Sequence, residues 1–250
     1  MKIPRWQDES LIPIAICIVM GSSISCVAQN LPSARGESIE AKRQHHEDTV
    51  LGYLRDVAWS SRKAIRLYYQ ADCQPMKNSV VDYSVPFPFF PLQSPPADKT
   101  GVAAVREIFK NAKDIMIAEE PPGIVRIWVG KVPTEILRTR ISLLTLDRQA
   151  QYDPSSAIMA IESTKEVEAA KTSLGLSEAP HGGGLVALAE NGLPCLPASM
   201  KNITVDQALD MIAKTWGGPV VFGVCSSPTD SAGKKLFLLR NGAAVLGQPF

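Results

Sequence analysis

Apolar residues recur along this chain at two spacings, and the changes between them mark out its elements. Over residues 47–73, Val50, Leu54, Val57, Ser61, Ile65 and Tyr68 follow three- and four-residue steps, which places them on one helix face. Arg62, Lys63 and Arg66 mark a solvated side, and Trp59 lies off the stripe. A second helical stripe, Val102, Val105, Ile108, Phe109 and Ala112, follows Thr100 as N-cap. The pattern then shortens. Residues 115–118 read as a strand, Pro121-Pro122-Gly123 as a turn, and residues 124–129 as the return strand. On that strand Val125, Ile127 and Val129 face one way, and Ile124, Arg126 and Trp128 the other. Helices are predicted over residues 134–143, over 154–162 behind Asp153, and over 165–174 behind Ser163 or Thr164. Thr204-Val205-Asp206-Gln207 forms a capping box, and Val205, Ala208, Leu209, Ile212 and Trp216 make the stripe behind it. Gly217-Gly218-Pro219 stops that helix. Strands at residues 220–225 and 236–240 follow, joined by a turn-rich loop.

Proline sets the boundaries. Residues 84–99 carry Val85-Pro86-Phe87-Pro88-Phe89-Phe90-Pro91 and Pro95-Pro96, which forbid a helix or a central strand. A solvated linker has no use for Phe87, Phe89 and Phe90, so these rings are expected to pack on the following domain, with a partner-binding Pro-rich motif as the alternative. A second linker, residues 177–197, is rich in Gly and Pro. The fold class that follows is α+β: an N-terminal helix and one or two small αββ modules, with extra helices between them. The first module with its helices spans residues 100–176 and the second residues 198–250, behind a helical region at 47–83. An offset of 100 residues sets Val105, Ile108, Phe109 and Ala112 against Val205, Ala208, Leu209 and Ile212. That correspondence is one of architecture, and coincidence is its alternative.

The N-terminus changes the picture of where the chain works. Lys2 and Arg5 precede an apolar run at residues 11–20, and Cys26-Val27-Ala28 supplies a small-x-small site before Gln29. This reads as a secretory signal peptide over residues 1–28, leaving a loose N-terminus at 29–46. The apolar run is shorter than the ~20 residues a bilayer-spanning helix needs. The alternatives are an uncleaved anchor and a lipoprotein acylated at Cys26. A chain 45% apolar and 20% charged can build a core. Its formal net charge of +1 gives no bulk attraction to nucleic acid or to an anionic membrane.

Residues 203–215, Ile-Thr-Val-Asp-Gln-Ala-Leu-Asp-Met-Ile-Ala-Lys-Thr, followed by Val220-Val221-Phe222, resemble the short N-terminal domain of secretins and TonB-dependent receptors. Residues 102–129 carry a fainter echo. The resemblance implies a small βαβ-type domain that sits in the periplasm and docks partner proteins. It carries over no active-site residue.

Candidate chemistry is sparse. His181-Gly182-Gly183-Gly184 looks like an esterase oxyanion loop, but no Gly-x-Ser-x-Gly elbow accompanies it. His45-His46-Glu47-Asp48 lacks the spaced partner a metal site needs. Glu119-Glu120 precede a turn without a visible cleft, and Gly233-Lys234-Lys235 lacks the rest of a phosphate loop. The sequence therefore nominates no catalytic, cofactor or metal residue. Arg126 beside Trp128 is nominated as a partner surface, against local packing. Of five cysteines, Cys73, Cys195 and Cys225 remain after signal removal. Cys195–Cys225 is the favoured disulfide, with pairings to Cys73 or no bridge as alternatives. The expected function is a non-enzymatic interaction or assembly module, exported to the bacterial periplasm or cell envelope. Its partner would be another envelope protein, in an outer-membrane or secretion system, with no nucleic acid, cofactor or stable membrane span. The alternative is a secreted hydrolase or small-ligand binder with a dispersed site.

Overall fold

The computed structural model describes residues 38–75, 83–120, 123–179, 193–226 and 235–242. The expected signal segment, Cys26, the His181–Gly184 run and Gly233-Lys234 lie outside these residues.

Helix α1 spans Ile39–Ser61. The Ser38 hydroxyl caps it by accepting from the Ala41 N–H at 3.1 Å, so it begins inside the stretch expected to be loose. Val50, Leu54, Val57 and Ala58 are its buried stripe. It ends at Arg62 in the left-handed conformation (φ 51°). The predicted helix over residues 47–73 is corrected here. Strand β1, Ala64–Asp72, follows and is buried on both faces. Ile65 and Tyr68 continue the helical spacing only by accident, because a strand covered on both sides shows no apolar–polar alternation.

Two short strands, β2 (Gln74–Pro75) and β3 (Tyr83–Ser84), pair with each other. Helix α2, Gly101–Ile108, leads to β4 (Ile115–Glu120) and β5 (Ile124–Val129), an antiparallel pair. The helix expected at 134–143 is a 3-10 turn at Ile136–Arg138 followed by strand β6, Arg140–Thr145. Ile136, Leu137, Ile141 and Leu144 are all buried, but the last two project from a strand whose partner is distant in sequence. Three short helices come next: α3 (Arg148–Tyr152), α4 (Pro154–Glu162) and α5 (Lys165–Leu174). Asp153 caps α4 through a 2.7 Å bond from the Ser156 N–H, with Pro154 at the first helical position. Strands β7 (Leu176–Glu178) and β8 (Ser199–Thr204) precede α6, Val205–Trp216. The α6 capping box is complete: Gln207 N–H reaches Thr204 Oγ1 at 3.2 Å, and Thr204 N–H reaches Gln207 Oε1 at 2.9 Å. Strands β9 (Pro219–Ser226) and β10 (Lys235–Asn241) complete the described chain.

One six-stranded mixed sheet organises these elements, in the order β4-β5-β1-β9-β10-β7. The fold is thus a mixture of helices with a mixed sheet. The two hairpins, β4-β5 and β9-β10, do not form separate sheets. Strand β1 lies between them, parallel to both β5 and β9. Each hairpin would otherwise leave an inner edge of unpaired N–H and C=O groups, and β1 satisfies both. A separate ladder joins β6 to β8.

Alternation along the strands sends side chains into two cores. Ile65, Leu67, Tyr69, Val125, Ile127, Val221 and Cys225 join α1 and α2. Ala64, Tyr68, Ile124, Val220, Phe222 and Val224 join α4 and α6 on the other face. The Pro/Phe segment straps the first face, where Phe87 packs on Tyr69, and Phe90 packs on Phe109 and on His46 of α1. Its rings therefore meet α1 and β1 as well as α2. Gly223 lies directly opposite Tyr69 in the β1–β9 register, and a Cβ there would fall 2.4 Å from the tyrosine ring.

Candidate functional site

A cluster of buried charge joins β1, β5 and α6. Arg66 and Arg126 are register partners on adjacent strands β1 and β5, both pointing at α6. Asp206 and Asp210 are one turn apart on α6 and meet them. Arg66 Nη1 lies 2.6 Å from Asp210 Oδ1 and 3.0 Å from the Asp206 carbonyl. Its Nη2 is 3.0 Å from Asp206 Oδ1. Arg126 Nη2 reaches Asp210 Oδ2 at 2.7 Å, Nη1 reaches Asp206 Oδ2 at 3.2 Å, and Nε reaches Glu120 at 2.6 Å. Arg126 also donates to the Tyr68 hydroxyl, which donates to Asp206 Oδ1 at 3.0 Å. Arg66 is fully buried, and Arg126 retains 7% of its exposure. Low local dielectric makes such a cluster costly to break, and it ties α6 to the two strands.

Electrostatics match that role. Burial raises the Tyr68 hydroxyl above its ordinary range, and Asp206 and Asp210 add to the rise against the two arginines. Burial opposes the Arg126 charge, but Tyr68, Glu120, Asp206 and Asp210 outweigh it and hold the guanidinium protonated more firmly than usual. Burial also pushes the Asp210 carboxyl up, against the pull of Arg66 and Arg126. Each side chain of the cluster is engaged by another, although Arg66 Nε has no hydrogen-bond partner among the described residues, and Glu120, Arg126 and Asp210 also line a second open groove of about 600 Å³.

Arg126 and Trp128 do share a face, as expected, but not as an accessible partner surface. Arg126 is buried in the cluster, and Trp128 stacks on Tyr68 with ring centroids 5.5 Å apart. Partners from α6, far along the chain, cover the face. Arg66, expected on a solvated side, is instead fully buried; the signal that would have shown this is Arg66 within the apolar run of β1 and Asp210 beside the apolar stripe of α6, two charges needing each other.

The Cys195–Cys225 pairing is corrected. Cys73 is joined to Cys225, with Cα atoms 4.9 Å apart, and Cys195 is free and exposed. Cys225 pairs with Ala71 in the parallel β1–β9 register, so it sits beside the end of β1 and faces the α1/α2 core with Cys73. Leu196, next to Cys195, belongs to the opposite core. The missed strand β1 hid this neighbour.

The other nominated residues are dispersed. His46 packs against Phe87, Phe89 and Phe90, Glu47 pairs with Arg240, and Asp48 accepts from Gln44. Glu119 pairs with Lys63 while Glu120 holds Arg126. Among the described residues no group of three His, Cys, Asp or Glu side chains could hold a metal, and no helix is long and apolar enough to cross a membrane.

An open groove of about 600 Å³ lies on the α6 face, at the carboxyl ends of the three parallel strands. Phe222 and Val224 of β9 line it with Ile136, Leu174 and Leu176, and Gln70, Lys131, Glu135 and Lys235 bring polar groups to it. The chain leaving β1 runs to the α2 face and the chain leaving β5 to the α6 face, so loops diverge at this edge. Open α/β sheets place ligands at such an edge. Comparison with protein-family models, curated proteins and solved structures finds no match, so this groove and the buried cluster carry the functional reading.

Proposed function

We propose that the chain is an exported, non-enzymatic interaction module of the bacterial cell envelope that docks another envelope protein. The observation that carries this reading is the mutual pairing within the buried ionic cluster. Arg66, Arg126, Asp206, Asp210 and Tyr68 are engaged with one another and hold α6 against β1 and β5. The Cys73–Cys225 bond supports export, because disulfides persist in oxidising compartments. The resemblance of residues 203–222 to secretin and TonB-receptor short domains supports docking. Strand β8 precedes α6 and β9 follows it, so the order of elements agrees with the resemblance, although the two strands lie in different sheets. In this reading the αββ unit is used twice, as α2-β4-β5 and α6-β9-β10, with both copies built around β1.

The test uses a photo-crosslinking residue at Met116, which is 59% exposed on edge strand β4. Expressed in a bacterium, the chain should fractionate with the envelope, carry an oxidised Cys73–Cys225 pair and crosslink one reproducible envelope protein. That protein, once purified, should bind the chain directly. A cytoplasmic chain with both thiols reduced would overturn the reading. So would turnover of an ester or peptide that is lost on substituting a groove residue.

The groove favours a second reading, a small-ligand binder, because volumes of about 300–1,000 Å³ with apolar walls and few polar groups are those of ligand sites.

A further inference from the structure

The groove's lining specifies what would fill it. Its floor is hydrocarbon and aromatic: Phe222 and Val224 from the sheet, with Ile136 and Leu174 on the walls. Its exposed rim carries Lys131 just after β5 and Lys235 at the start of β10, both at the carboxyl edge of the parallel strands. Some lysines of the fold are held by carboxylates, as in Lys63–Glu119, Lys99–Glu107 and Lys171–Glu178. Among the described residues, neither Lys131 nor Lys235 has an ion-pair partner. Glu135 is the acidic side chain of the lining, so the two lysines leave an excess of one positive charge.

We propose that this groove binds a single-chain amphiphile with a carboxylate head, the apolar chain lying along the half-buried Val132, Leu174 and Leu176 over the buried Phe222 and Val224, and the head at Lys131 and Lys235. A body without charge would leave the lysines unanswered. A cationic head would meet like charge, which disfavours it. The net excess matches a singly charged carboxylate better than a phosphate monoester, whose second ionisation falls near pH 6. This site is separate from the edge probed at Met116 and goes beyond the docking role.

The experiment is calorimetric titration of the full, oxidised chain with dodecanoate below its micelle concentration. Dodecanol, dodecyl phosphate and dodecyltrimethylammonium are run in parallel. Dodecanoate should bind with one-to-one stoichiometry and more tightly than each of the other three. Lys131→Gln with Lys235→Gln should weaken dodecanoate at least about tenfold, as loss of charge-assisted contacts does, while leaving dodecanol unchanged. Val132→Trp, which places a large ring at the wall, should weaken both. Both variants alter partly or fully exposed positions and should keep the parent melting temperature. Absence of dodecanoate binding, equal or tighter binding of the cation or the phosphate, or indifference to either variant would overturn the proposal. A crosslinked envelope partner obtained without dodecanoate binding would leave the docking reading standing and this one refuted; the reverse result would separate them the other way.

Discussion

Reduction of the Cys73–Cys225 disulfide is the perturbation whose size follows most directly from the topology. The two cysteines are 152 residues apart in sequence, yet they lie at neighbouring strand ends. In the chain-entropy model, opening a loop of that length releases the unfolded chain enough to cost about 5 kcal/mol of stability. Both cysteines pack in the α1/α2 core, so the lost constraint is expected to act mainly on the unfolded state. The assay is urea unfolding of the oxidised and the reduced chain, followed by tryptophan fluorescence. Cys195→Ser should serve as the common background, since that exposed thiol could otherwise form intermolecular bonds. On its own, Cys195→Ser should shift stability by less than about 0.5 kcal/mol. Reduction should lower the extrapolated unfolding free energy by about 3–5 kcal/mol, engineered and native bridges often delivering less than the model value. A difference under about 1 kcal/mol would refute the reasoning, and so would thiol labelling of Cys225 in the denatured, unreduced protein.

Three further outcomes test other parts of the structure. Asp210→Ala should cost about 3–5 kcal/mol in chemical unfolding, because it strands Arg66 and Arg126 in the interior, and adding Arg66→Met should recover part of that loss; an additive double variant would argue against a coupled cluster. Gly223→Ala should cost about 1–3 kcal/mol by driving a methyl into the Tyr69 ring, and Tyr69→Leu in the same chain should relieve it, both read from thermal melts. Burial, then the neighbouring charge of His45, lowers the His46 pKa below its unfolded value of about 6.5. The unfolded chain therefore takes up the proton first, so this contribution is fully present above about pH 6.5 and is lost as pH falls through the folded pKa. Stability measured from pH 7 down to pH 5 should fall less steeply in His46→Gln than in the parent; parallel curves would count against the prediction.

Local signals in the sequence determined the helix ends and the hairpins. Asp153-Pro154, the Thr204–Gln207 box and Gly175 act through bonds or backbone preferences within a few residues, so α4, α5 and α6 are where they were expected. The 124–129 and 220–225 strands were legible because each is an apolar run bounded by Gly or Pro turn chemistry. What only the tertiary structure decided is long-range pairing. Strand β1 looks like the tail of a helix until β5 and β9 flank it, and β6 looks like a helix until β8, some sixty residues later, pairs with it. The same ignorance of neighbours misassigned the disulfide and put Arg126 on the surface. Spacing along a chain reports which side chains share a face. Whether that face meets water, a core or an opposite charge depends on contacts between residues far apart in sequence, and here those contacts run through β1 and α6.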